Sequence, residues 1–142
     1  MTIAAVLNDK GNAVETIAAD ATVGEAVRRL GEKRIGALPV IESGRIVGIF
    51  SERDVIYCLR EHGPSVLEWP VERVMTSPAI TADLKTDVIA ALALMTKRRI
   101  RHLPVIESGE VRGIVSIGDL VKYRMELIEE EAEAMRAYIQ TA

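Results

Sequence analysis

The chain has 142 residues, 49% of them apolar and 27% charged, with a net charge of −3. That is the make-up of a folded soluble chain, with length for one domain or two very small ones. It disfavours a broad basic face for nucleic acid without excluding a local basic pocket; no apolar run approaches the 18 or so residues of a membrane-spanning helix, and Cys58 alone excludes an internal disulfide.

The start, MTIAAVLNDKG, has no basic stretch leading into a long apolar one. No signal peptide is expected, and a cytoplasmic, reducing setting is. A short strand is predicted near Ala13–Ile17. Val23, Ala26, Val27 and Leu30 then fall on one helical face. Thr22 and Glu25 ahead of them form a T-x-x-E capping box. LPVI, from Leu38 to Ile41, reads as a short buried strand with its proline near the start, where a missing N–H is tolerated. ESG, from Glu42 to Gly44, fits a three-residue hairpin loop with the glycine left-handed. RIVGIF returns as the second strand, and Gly48 inside it predicts that something approaches the backbone closely. A second helix opens at Ser51. Cys58, in the apolar stretch Val55–Leu59, reads as core rather than nucleophile. His62, before Gly63-Pro64, reads as a surface or helix-end residue.

After a linker the letters repeat. LPVIESG of Leu38–Gly44 stands again at Leu103–Gly109, 65 positions on. At the same shift Thr16 meets Thr81, Val23 meets Val88, Ala26 meets Ala91, Gly48 meets Gly113, Ser51 meets Ser116 and Asp54 meets Asp119. Agreement spread this widely is duplication. The second unit therefore has a strand at Ala79–Thr81, a helix over Val88, Ala91, Leu92 and Met95, a hairpin, and a helix from Ser116. The predicted division is 1–63 for repeat 1 with its lead-in, 64–76 for a linker, 77–125 for repeat 2 and 126–142 for an extension. The fold class is α/β (α+β), each unit reading β-α-β-β-α. One unit of about 50 residues buries too little surface to stand alone, so two copies are expected to pair their sheets about a pseudo-two-fold and close one core. Beyond Asp119 the helix pattern continues. Val121, Met125, Ile128, Ala132, Met135 and Ile139 make a heptad seam, which either folds back on its own chain or packs on a second copy.

RIGALPVIESGRIVGIFSERDV and RIRHLPVIESGEVRGIVSIGDL, with the linker VERVMTSPAITA, resemble the cystathionine-β-synthase (CBS) domain, here in tandem as a Bateman module, from about residue 4 to residue 125. The resemblance implies clefts that bind an adenosine ligand (AMP, ADP, ATP, NAD(H) or S-adenosylmethionine), a regulatory rather than catalytic role, a homodimer, and a protein partner in trans. It implies adenine contacts at Thr16, Ile17, Ala37 and Leu38 in one copy and at Ile80, Thr81, His102 and Leu103 in the other. It implies ribose contacts at Asp54 and Asp119.

The residues themselves leave two readings of Ser51–Asp54 and Ser116–Asp119. A serine with an acid three residues on is a helix cap; the same helix start can bind phosphate through its N–H groups and hydroxyl. The resemblance also makes Arg53, Arg101 and His102 candidates for phosphate, with Arg99 and Arg98 beside them. The other reading of the arginines is helix-end charges that complement the dipole. The copies differ where it matters: Arg101-His102 stands in one where Gly36-Ala37 stands in the other, and Arg53 where the other has Gly118. Two histidines and one cysteine give no expected zinc site. No Ser-His-Asp order, P-loop or G-x-G-x-x-G appears, and no enzyme activity is expected. A ligand-free scaffold, a binder of single-stranded nucleic acid through Lys97–Arg101, and an enzyme with an unrecognised site are the rival readings.

Overall fold

Two hairpins of the same register organise the chain. The computed structural model describes residues 1–11 and 13–141. In order they form α1 (Ile3–Lys10), β1 (Ile17–Ala18), α2 (Val23–Lys33), β2 (Ala37–Glu42), β3 (Arg45–Ser51), α3 (Glu52–His62), short 3-10 turns at Pro64–Glu68 and Val71–Arg73, α4 (Val88–Arg98), β4 (His102–Glu107), β5 (Glu110–Ser116) and α5 (Ile117–Thr141). β2 and β3 pair antiparallel from Ala37↔Ser51 to Glu42↔Arg45, and β4 and β5 from His102↔Ser116 to Glu107↔Glu110. Both ladders shift register at the same place, Val40/Ile41 and Val105/Ile106. The hairpin loops hold two residues, not three. Ser43 (φ 52°) and Gly44 (φ 77°) are both left-handed, as are Ser108 (φ 53°) and Gly109 (φ 81°). That is the geometry whose twist matches the flanking strands, so Glu42 and Glu107 belong to the ladders.

The first strands are shorter and later than predicted. β1 pairs parallel to β2 at Ile17↔Val40 and Ala18↔Ile41, while repeat 2 keeps only the bridge Ala82↔Val105. Thr16 and Thr81 lie just outside. The capping box of α2 is half formed: Thr22 accepts from the Glu25 N–H at 3.1 Å, but the Glu25 carboxylate turns to Arg29, also at 3.1 Å.

There are two cores, not one. Ile17, Val23, Ala26, Leu30, Leu38, Val40 and Phe50 of repeat 1 enclose Val71. Val88, Ala91, Met95, Leu103, Val105, Val115 and Leu120 of repeat 2 enclose Ile3, Val6 and Leu7. The lead-in that the sequence groups with repeat 1 thus packs on repeat 2, and the linker packs on repeat 1. Backbone bonds repeat the exchange pair by pair. Ile3 N–H donates to Thr86 O at 2.9 Å and Val71 N–H to Ala21 O at 2.8 Å; Ala4 N–H donates to Leu84 O and Glu72 N–H to Ala19 O, both at 3.0 Å. From Thr2 to Pro70 is 68 positions, and these residues form the matching bridges Thr2↔Asp87 and Pro70↔Thr22. The duplication therefore starts at the first residues, with a different offset from the one seen in the hairpins.

Gly48 and Gly113 now have their explanation. A Cβ at Gly48 would meet Met75 Sδ at 2.6 Å and Thr76 O at 2.7 Å; one at Gly113 would meet Leu7 Cδ2 at 2.9 Å. The close approach is made by the exchanged segments of the chain itself.

α5 runs 25 residues, about 37 Å at 1.5 Å per residue. Only Leu120 of it is buried, and Met125, Ile128, Met135 and Ile139 are exposed. The seam does not fold back on its own chain.

Candidate functional site

A cleft of about 770 Å³ lies between the repeats. Repeat 1 and the linker supply Ala37, Ser51, Glu52, Arg53, Asp54 and Thr76 to its wall; repeat 2 supplies Ile80, Ile100, Arg101, His102, Ser116 and Gly118. The strand ends and helix starts meet here because Ala37 pairs with Ser51 and His102 with Ser116 across each hairpin.

Ser51 caps α3 in a complete capping box. Its N–H donates to Asp54 Oδ2 at 2.9 Å, and its Oγ accepts from the Asp54 N–H at 3.4 Å. The other carboxylate oxygen, Oδ1, accepts from the Thr76 hydroxyl at 3.0 Å. The cap fixes the carboxylate on the cleft wall. Ser116 and Asp119 repeat the cap at 2.8 and 3.0 Å. Asp119, however, is taken by Lys10, whose Nζ lies 2.6 Å from Oδ2 and also donates to Ile114 O at 2.8 Å. Burial alone would raise the Asp119 carboxyl. The hydrogen bonds from Lys10 and the Ser116 N–H, with the Lys10 charge, outweigh it and hold the group below its ordinary value.

Arg53 spans the repeats, its Nη1 donating to Arg99 O at 2.8 Å. Arg101 is exposed at the rim. His102 is half-buried against Gly36, where a Cβ would come within 2.6 Å of its Cε1 and 2.7 Å of Glu52 Oε1. Burial lowers the His102 pKa below its ordinary value; Glu52 opposes this, and Arg101 and Lys10 add to it. At neutral pH His102 faces the cleft as a neutral imidazole, a hydrogen-bonding group and not a fixed cation.

The structure thus brings Ala37, Ser51, Arg53, Asp54, Ile80, Arg101, His102 and Ser116 into one cleft. It puts the other predicted residues elsewhere. Leu38 and Leu103 are fully buried in the two cores, and Ile17 is nearly so. The Thr16 carbonyl accepts from Arg29 at 2.6 Å. Thr81 and the Arg99 side chain are exposed away from the lining. Glu52, Thr76, Ile100, Ile56 and Tyr57 also line the cleft; sequence reasoning missed them. Thr76 was hidden because nothing at the 65-residue shift marks the linker as part of repeat 1. Elsewhere, Arg73 stacks on Trp69 at 3.6 Å, with His62 beside the same ring. Burial raises the Cys58 thiol, which fits an inert core residue. Among the described residues no group of three or more His, Cys, Asp or Glu is placed to hold a metal, and no helix is long and apolar enough to cross a membrane.

A family model of the CBS domain matches residues 7–61 and 71–126. The chain is similar to the CBS domain-containing protein CBSX3, mitochondrial, of Arabidopsis thaliana, at 36% identity over 98% of this chain and 72% of that protein. Among solved structures, the CBS-domain containing protein ATU1752 of Agrobacterium tumefaciens superposes with a TM-score of 0.84 at 35% identity, covering 87% of this chain and 99% of that one. The CBS domain pair of MJ0100, solved in complex with 5-methylthioadenosine and S-adenosyl-L-methionine, gives a TM-score of 0.72 at 26% identity, over 80% of this chain and 92% of that one.

Proposed function

The chain belongs to the CBS-domain family as a tandem pair, and from that premise we propose that it is a regulatory module whose inter-repeat cleft takes a phosphorylated adenosine ligand. One observation carries the reading: an anchored carboxylate, apolar walls and two arginines, contributed by both repeats, line a single cleft. Asp54 accepts the ribose hydroxyls, displacing the Thr76 hydroxyl. Ile80 and Ile100 flank the base. Arg101 and Arg53 face the phosphate, with neutral His102 as a hydrogen-bonding neighbour. The adenosine half of this assignment draws support from the two adenosine ligands of the MJ0100 pair. The phosphate half rests on this chain's arginines. AMP, ADP, ATP and NAD(H) all fit that description.

A ligand seated there touches both repeats, and it changes their packing only by its different affinity for the two arrangements. The exposed apolar residues on α5, Val121 and Met125 among them, are assigned to a second copy, with a protein partner in trans receiving the change. No catalytic role is assigned: the Ser51 hydroxyl serves its helix cap. Calorimetric titration of AMP against adenosine tests the reading. Wild type should bind AMP more tightly than adenosine, and Arg101→Ala should erase most of the difference. Equal loss of both ligands in that variant would contradict the phosphate assignment.

A further inference from the structure

We infer that α5 pairs with the α5 of a second copy as a parallel, in-register, two-stranded coiled coil. The inference rests on the assignment of α5 to a second copy given above and adds its orientation and register. α5 docks on its own repeat through Leu120, which is buried, and Tyr123. Val121, Met125 and Ile128 face away from that contact and are exposed. Beyond them Ala132, Met135 and Ile139 continue the same stripe, and no residue from Ile128 to Thr141 is buried. Propensity alone gives so short a stretch of helix little stability in water. Packing of the stripe on another helix supplies it.

The charges that border the stripe say which helix. With Met125, Ala132 and Ile139 as one set of seam positions and Val121, Ile128 and Met135 as the other, the bordering charged residues are Lys122, Arg124, Glu129, Glu131 and Arg136. In a parallel pair, the residue just before a member of the first set meets the residue five positions on in the other helix. Arg124 then faces the partner's Glu129, and Glu131 faces the partner's Arg136. Two-fold symmetry doubles both contacts. Among the described residues none of these four makes an ion pair within the chain. An antiparallel pair that keeps the whole stripe in contact sets Val121 against the partner's Ile139 and Met125 against the partner's Met135. It also brings Glu129 beside the partner's Glu129, Glu131 beside the partner's Glu131 and Lys122 beside the partner's Arg136, all of like charge. The helix is complementary to itself in the parallel direction. Its first turn, with Ile117 and Gly118, lies in the cleft wall, so the seam begins about one turn from a bound ligand.

Sedimentation equilibrium and cysteine trapping of the full chain decide it. Wild type should sediment as a dimer, and Ile128→Asp should dissociate it. Under mild oxidation Met135→Cys should be trapped as a disulfide-linked dimer, while wild type, whose Cys58 is buried, stays unlinked. In the antiparallel arrangement the two copies of position 135 stand about 15 Å apart along the axis, too far to link. Glu129→Lys should weaken the dimer about tenfold, because two symmetry-related attractions become repulsions. Arg124→Glu/Glu129→Lys should recover most of that loss. A wild-type dimer with no link through Met135→Cys, or one that Glu129→Lys leaves unchanged, or that the double variant fails to recover, would overturn the parallel register and leave the second-copy assignment standing. A wild-type monomer, or a dimer that Ile128→Asp leaves intact, would overturn both.

Discussion

At the scale of single residues, the letters that carry the site also carry the fold. Ser51 and Asp54 were legible because a capping box and a carboxylate at a helix start have the same spelling, and Asp54 both closes the cap and holds the Thr76 hydroxyl at the cleft wall. Lys10 and Thr76 were not legible, because their contacts span 109 and 22 positions and no local spacing announces them. Two predictions belong here. Asp54→Ala removes a charged acceptor worth about 1.5–3 kcal/mol to a bound hydroxyl, so AMP should weaken by roughly ten- to a hundredfold, measured by calorimetry. His102 gives a pH dependence. Its folded pKa is lowered from 6.5 by burial, so on acidification the unfolded chain takes the proton first. The contribution of neutral His102 is therefore complete above 6.5 and declines as pH falls through the interval down to its folded value. Urea midpoints should fall between about pH 7.5 and pH 5.5, and fall less in His102→Gln. An identical fall in both would assign the loss to other groups.

At the scale of elements, the helices and hairpins were readable because their periodicities are local. The corrections came where distant segments meet. The hairpin loop is two residues long because Ser43 joins Gly44 in the left-handed region. The first strand is short because only Ile17 and Ala18 lie in register with β2. The two strand glycines mark an approach that the sequence predicted without saying by what. They should differ on substitution. At Gly48 an added methyl meets a backbone carbonyl, Thr76 O at 2.7 Å, as well as Met75; at Gly113 it meets only the flexible end of Leu7. Gly48→Ala should cost about 1–3 kcal/mol by overpacking, and Gly113→Ala less, both read from denaturant midpoints. Equal costs would contradict the linker's close seat on β3.

At the scale of the whole molecule, the exchange of lead-ins makes the halves interdependent. Neither repeat completes its core with contiguous sequence: Ile3, Val6 and Leu7 fill that of repeat 2, and Val71 that of repeat 1. Leu7→Ala should cost about 2–5 kcal/mol although it lies far in sequence from the repeat it stabilises, and the loss should appear as one cooperative transition. Two separated transitions would contradict the interdependence. The duplication was readable from LPVIESG outward. The exchange was not, because its 68-residue offset joins segments that share little beyond Val6 and Val74. The seam on α5 was likewise legible as a pattern, and Met125, Ile128, Met135 and Ile139 stay exposed within the chain.

The proposed site grips an adenosine ligand with both repeats. Thermal unfolding of wild type and Asp54→Ala, with AMP, ADP, ATP, NAD, NADH and S-adenosylmethionine each in excess, tests it most directly. A ligand at 100 times its Kd adds about 2.7 kcal/mol to the folded state, several degrees of midpoint for a chain of this size. The predicted result is a rise for one or two of the phosphorylated ligands in wild type, strongly reduced in Asp54→Ala. No rise for any of the six, or the same rise in both proteins, would contradict it and leave Ser51 and Asp54 as a helix cap alone.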